Sequence, residues 1–173
     1  MTIPHTGSQL IGSLRAENGK GVVRMEEVYD TSMPDLWSAL TQPDRLSRWL
    51  AEVSGDLRLG GRFQARFTSG WDGPGRVAGC EPHSHLLAIM NPGLEDETQI
   101  EATLTAEGDR TRLVIEERGL PLDAVAAHGA GWQAHVEDLS SHLAGRDAAD
   151  WVERWTELIP KYRELAAEVA QRD

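Results

Sequence analysis

The stretch GWQAHVEDLSSHLAG, residues 131 to 145, holds two of three histidines that recur every seven residues, His128, His135 and His142. Imidazoles in series are common material for zinc and nickel sites. Seven residues of helix, however, rise about 10 Å, while ligands stand only about 2 Å from a metal, so one straight helix cannot bring all three to a single ion. Asp138 lies three residues after His135 and four before His142, spacings that make neighbours on a helix surface. That trio reads as a solvated polar edge, or as a metal site only if another segment adds ligands. His83 and His85 would share one side of an extended strand, but behind Pro82 they read more simply as a strand start. Neither a metal nor a cofactor is expected.

The same helix has an apolar series, Trp132, Val136, Leu139 and Leu143, at i, i+4, i+7 and i+11, which must point to a core. At about 100° per residue, the three histidines fall on the flank of that stripe. His135, midway along, is the one placed to look into a cavity and share a hydrogen bond with a ligand oxygen; the alternatives are plain packing or exposure. Glu116-Glu117 could turn one carboxylate inward, where apolar surroundings would raise its pKa and suit acid–base work, or could pair with Arg112 or Arg118 at the surface. Trp49, Phe63, Phe67, Trp71 and Trp132 offer large apolar walls, and Phe63 and Phe67 share a strand face with the small Ala65 between them. SGWDGPG lacks the lysine and hydroxyl residue of a phosphate loop and reads as a turn, with Trp71 at its tip able to gate a cavity or dock a partner. Ser140-Ser141 beside His142 makes no nucleophile system, because adjacent helical side chains diverge. The single cysteine, Cys80, has no identified activating base and reads as a buried or half-buried thiol. No residue is designated catalytic.

These residues need elements to position them. Two apolar segments flank Asn18-Gly19, which predicts a hairpin whose stronger strand is Val22 to Tyr29. Leu36, Trp37, Leu40, Leu46, Trp49 and Leu50 then follow a helical period broken by Pro43, which predicts two short helices in an elbow. From Asp56 to Arg118, short strands alternate with turn signals. The clearest hairpin has Ile100, Ala102 and Leu104 before its turn and Leu113 and Ile115 after it, all on one face. A helix follows from about Leu122 to Ala144, and another carries the stripe Trp151, Trp155, Leu158, Tyr162, Leu165 and Val169, with Pro160 expected to kink or restart it. That stripe must bury on its own domain or on a neighbour.

The 173 residues fit one domain. A net charge of −11 disfavours nucleic acid and anionic membranes. One cysteine excludes an intramolecular disulfide and fits a reducing compartment. The start, MTIPHTGSQLIGSL, does not read as a signal peptide, and no membrane span is expected, so the default address is the cytoplasm.

The order of a strand, DLWSALTQPDRLSRWL, LGGRF, a hairpin meander and a helix opening with GWQAHVEDLSSHL resembles the SRPBCC superfamily, the START-like or Bet v 1-like helix-grip fold. Within it, the chain is similar to proteins named for the C-terminal domain of the activator of Hsp90 ATPase, of an actinobacterial type with an added C-terminal helix. The likeness rests most on Pro43 with Leu46 and Trp49, on Gly60-Gly61-Arg62-Phe63, and on Gly131-Trp132. It implies an α+β fold in which a curved antiparallel sheet grips a long helix and encloses a cavity for a lipid, a polyketide or another apolar molecule. It maps no catalytic motif onto this chain. The expected organisation is an N-terminal segment with the first hairpin arm (1–19), a helix-grip domain (20–145) and a C-terminal helical extension (146–173).

Three functions are compatible with these features. The first is a cytoplasmic protein binding a small hydrophobic or amphipathic, lipid-like or aromatic, molecule in a pocket of Trp49, Phe63, Phe67, Trp71, Trp132, His135 and Leu139. The second is an interaction module, a chaperone (Hsp90-type) cofactor or a homodimer, working through the C-terminal helix. The third is a cyclase- or hydrolase-like enzyme using His135 and a carboxylate in the same cavity.

Overall fold

The computed structural model describes residues 10–172; the polar start, residues 1–9, which is the first part of the expected N-terminal segment, and Asp173 lie outside the described residues. The chain opens with the hairpin β1 (Gly12–Glu17) and β2 (Lys20–Tyr29). Asn18 and Gly19 both take positive φ, 54° and 79°, the backbone that a tight two-residue hairpin turn needs to match strand twist. Helices α1 (Met33–Thr41) and α2 (Pro43–Trp49) form the elbow. Ser32 caps α1 by accepting the Asp35 N–H, and Pro43 begins α2 where its missing donor costs nothing.

Six antiparallel strands follow: β3 (Ala51–Gly55), β4 (Arg62–Phe67), β5 (Asp72–Glu81), β6 (His85–Met90), β7 (Thr98–Glu107) and β8 (Arg110–Leu120). The first corrects the sequence reading, which began the strands at Asp56. Ala51 to Gly55 pair residue for residue with Phe67 to Phe63, because helical packing ends at Leu50 and the chain turns straight into the sheet edge. The eight strands form one sheet in the order β1-β2-β8-β7-β6-β5-β4-β3. The elbow therefore carries the chain from beside β8 to the far edge, and the meander returns strand by strand.

After a short 3-10 turn (Leu122–Ala124), α3 (Val125–Leu143) lies in the grip of this sheet. Val23, Met25, Leu104, Leu113 and Ile115 belong to the same core as Trp132, Val136 and Leu139 of α3. The expected one-sided stripe is too narrow a description: every residue from Gly129 to Val136 is buried. The reason is α4 (Trp151–Arg172), which packs along the back of α3 and against β1. Its stripe buries on its own domain, with Leu158 and Tyr162 fully enclosed.

Tyr162 fixes α4 in place. Its hydroxyl donates to Gln133 Oε1 at 2.6 Å and accepts the Gly12 N–H at 3.1 Å. Its ring lies so close to α3 that a Cβ at position 129 would come within 2.6 Å of it, which explains a glycine in mid-helix. Of the kink or restart expected at Pro160, the restart does not occur: α4 runs through it as one helix. Pro160 itself faces solvent while Leu158, Ile159 and Tyr162 around it are buried, and this packing holds the turn that lacks one backbone donor.

Candidate functional site

Between the sheet, α3 and the first turn of α4 lies a cavity of about 650 Å³, inside the range of about 300–1,000 Å³ usual for small-molecule sites. Phe67 and Trp71 come from the β4–β5 hairpin, Thr98 and Ile100 from β7, Glu117 and Leu120 from β8, His128, Trp132 and His135 from α3, and Trp151, Val152 and Trp155 from α4. A smaller cavity of about 110 Å³ is walled by Phe63, Ala65, Val77 and Leu46 and shares Phe67 and Trp132 with the larger one.

Of the seven predicted pocket residues, Phe67, Trp71, Trp132 and His135 therefore meet in the larger cavity, and Phe63 faces the smaller. Trp49 and Leu139 line neither. Trp49 is buried at the end of the elbow, where its indole donates to the Ala39 carbonyl at 2.9 Å; Leu139 is enclosed in the main core. Both are apolar by type, but their directions lead into packed interior.

The hairpin that presents Phe67 and Trp71 is held by Phe67 N–H donating to Trp71 O at 2.8 Å and Gly70 N–H to Phe67 O at 2.9 Å, so SGWDGPG is turn chemistry as read. The two rings meet edge to face, centroids 5.5 Å apart. His135 is only 3% exposed and is surrounded by the rings of Phe67, Trp132 and Trp151 at 6.0, 5.7 and 5.3 Å. Burial pushes its pKa down to about 4, so the imidazole is neutral at ordinary pH.

The three histidines have three separate environments. His142 accepts from Arg45 Nε at 3.0 Å, across the α2–α3 contact, while His128 pairs with Glu117. Asp138 corrects the expectation of a solvated edge: it is 5% exposed and accepts the Ala149 N–H from the α3–α4 linker, because that linker folds over it. Burial lifts its carboxyl to about 6. His83 sits in a turn with φ of 74°, and His85 starts β6 paired to Glu101, as a strand start would have it. Among the described residues, no three His, Cys, Asp or Glu side chains gather as a metal site.

The acidic pair on β8 divides. Glu116 points to the outer face and bonds Arg15, Arg24 and Arg118; led by the Arg15 hydrogen bond, these partners bring its pKa down to about 2. Glu117 points inward, 6% exposed, and receives His128 Nδ1 at 2.9 Å, Trp132 Nε1 at 2.9 Å and Thr98 Oγ1 at 3.0 Å. The raised pKa expected for an inward carboxylate is not found. Burial does push upward, but the His128 hydrogen bond and charge, with the Trp132 and Thr98 donors, outweigh it and hold the carboxyl below its ordinary value. Against its own burial, the Glu117 partner holds His128 above its ordinary value.

Pocket membership was missed for Glu117, His128, Thr98, Trp151 and Trp155. For Glu117 the signal was present, since the alternation that turns Leu113 and Ile115 inward turns residue 117 inward too. For Trp151 and Trp155, two tryptophans one turn apart at the head of the helix's apolar stripe were the clue. They stack at 6.3 Å and 18°, and Trp155 Nε1 donates to Ala127 O at 3.0 Å.

A curved antiparallel sheet closed on a long helix, with an aromatic-lined space between them, defines a helix-grip protein of the Bet v 1/START-like type. The model of the family described as Activator of Hsp90 ATPase homolog 1-like protein matches residues 30–144, and the chain belongs to that family. Among solved structures, CalU16 from Micromonospora echinospora is similar with 25% identity and a TM-score of 0.74 over 90% of this chain and 95% of that one. The Mesorhizobium loti protein MLL2253 is 26% identical with a TM-score of 0.66, over 73% of this chain and 98% of that one. DynU16, a protein in the dynemicin biosynthetic locus, is 27% identical with a TM-score of 0.67, over 75% of this chain and 49% of that one. No curated protein matches. Among the described residues, no helix is long and apolar enough to cross a membrane.

Proposed function

We propose that this protein binds a small hydrophobic or amphipathic molecule in the larger cavity. The observation that carries the reading is an interior space of about 650 Å³ walled by tryptophan and phenylalanine rings where a packed core would otherwise be. The fold type, whose members commonly hold ligands, supports it. The biosynthetic setting of DynU16 fits a small organic ligand in this chain better than a macromolecular one. Trp71, at the hairpin tip, and Val152, 64% exposed on α4, would stand at the mouth.

The test is a thermal-shift screen of fatty acids, aromatic compounds and polyketide-like compounds against the full chain. A ligand that binds only the folded state, at about a hundredfold above its Kd, adds about 2.7 kcal/mol of stability. The expected outcome is such a stabilisation for at least one apolar class, lost when Ala127→Trp plugs the cavity wall. A flat response across the whole panel sinks the reading.

An enzyme of the cyclase or hydrolase type is a second reading, favoured by the Glu117–His128 pair at the cavity wall. A carboxylate that fixes one imidazole nitrogen leaves the other to take or return a proton. In this reading His128 takes the part that the sequence suggested for His135, whose ring is buried and weakly basic. Mass spectrometry of a stabilising ligand after prolonged incubation decides it: conversion by the parent chain and none by Glu117→Gln supports an enzyme, and intact ligand with the parent chain removes it.

A further inference from the structure

Among the described residues, His135 Nδ1 and Trp151 Nε1 are the buried side-chain polar atoms with no hydrogen-bond partner. They belong to neighbouring rings, 5.3 Å apart between centroids and tilted by 35°. One ring comes from the middle of α3 and the other from the first residue of α4, and both residues line the larger cavity.

Their chemistry is complementary to that of a third group. An indole N–H can only donate. A neutral imidazole carries its proton on one nitrogen and a lone pair on the other, and the Trp49 backbone beside His135 favours a proton on the ring. With its proton on Nε2, the ring presents the unpartnered, buried Nδ1 as a bare lone pair. The protein thus holds one unsatisfied donor and one unsatisfied acceptor side by side, each at the desolvation cost that native interiors usually avoid. A hydroxyl answers both, accepting from the indole while donating to the imidazole. An ether or carbonyl answers only the donor, an ammonium only the acceptor, and a hydrocarbon neither.

We propose that His135 Nδ1 and Trp151 Nε1 form a hydroxyl-recognition site, and that the ligand of this cavity is a planar apolar molecule carrying an alcohol or phenol. This rests on the ligand-binding reading above. Flat faces for the ring system come from Phe67, Trp132 and Trp155, which line the same space. Trp151 is the ring that moves: it is half-buried and leads α4 directly after the linker, so its indole can swing to admit the hydroxyl between the two atoms.

Isothermal titration of the full chain with 2-naphthol, 2-methoxynaphthalene and naphthalene tests this, because the three share one ring system. The naphthol is expected to bind about tenfold or more tighter than naphthalene. The ether is expected between them, since it can accept from Trp151 but has nothing to donate to His135. In His135→Phe, which removes the unpaired acceptor and keeps an aromatic ring, the naphthol should fall to the affinity of the ether. Should that variant not fold, the three affinities of the parent chain still decide. Equal affinities in the parent chain overturn the proposal, as when a water molecule already bridges the two atoms; so does a naphthol preference that persists in folded His135→Phe. If none of the three binds while a fatty acid stabilises the fold, the hydroxyl site is refuted and the ligand cavity stands. If nothing in the wider screen binds, both fall.

Discussion

A histidine packed among three aromatic rings stabilises the fold most while it stays uncharged. The folded pKa of His135, about 4, lies below the ordinary 6.5. Between those values the unfolded chain takes up a proton that the folded chain refuses, so stability falls as pH drops through the window. Denaturant melts at pH 7 and pH 4.5 should show the parent chain losing on the order of 2–3 kcal/mol relative to His135→Phe; parallel losses would contradict the assignment. Asp138 works the other way. Its carboxyl, raised to about 6 from 3.8, favours the protonated form when folded, so its contribution is full below 3.8 and is lost as pH rises through 6. Asp138→Asn is expected to raise the melting temperature at pH 8 more than at pH 4.5, with the Asn oxygen still able to accept the Ala149 N–H.

At the scale of the element, α4 is anchored by its buried stripe, in which the Tyr162 hydroxyl makes the buried hydrogen bonds to Gly12 and Gln133. Tyr162→Phe removes the acceptor of the Gly12 N–H and the donor to Gln133, and should cost about 1–3 kcal/mol in a urea melt; no loss would mean the hydroxyl is incidental. The elements themselves were largely legible. Asn18-Gly19 announced its hairpin, Pro43 its elbow, and the alternation of Ala102, Leu104, Leu113 and Ile115 the β7–β8 pair, since each signal is local. What local signals could not give was β3, whose five residues become a strand only because β4 is there to pair, and the second buried side of α3, which exists only because α4 covers it. The persistence of α4 through Pro160 has the same cause, packing that outweighs a local preference.

At the scale of the whole molecule, the sheet, α3 and α4 share one core, in which Tyr162 and Val169 of α4 join Val23 and Ile115 of the sheet. The division expected at residue 145 is therefore a division of sequence more than of packing. Urea unfolding followed by tryptophan fluorescence and by far-ultraviolet circular dichroism is expected to give one coincident transition; an early fluorescence change would mark α4 as separately folding. The helix-grip architecture was readable because the order of elements admits few arrangements. The cavity was less so, because a space is bounded by elements far apart in sequence: Phe67 and His135 could be proposed from type and period, Trp49 and Leu139 were proposed on the same grounds and point elsewhere, and the Trp151–Trp155 spacing marked a wall without saying which space it faces. The family model ends at residue 144, so Glu117, His128 and His135 fall inside the stretch it matches, while Trp151, Val152 and Trp155 lie past its edge. Substitution at those three positions, which stand on the first turn of α4 ahead of the buried Leu158 and Tyr162, would change the cavity wall while leaving the shared core in place.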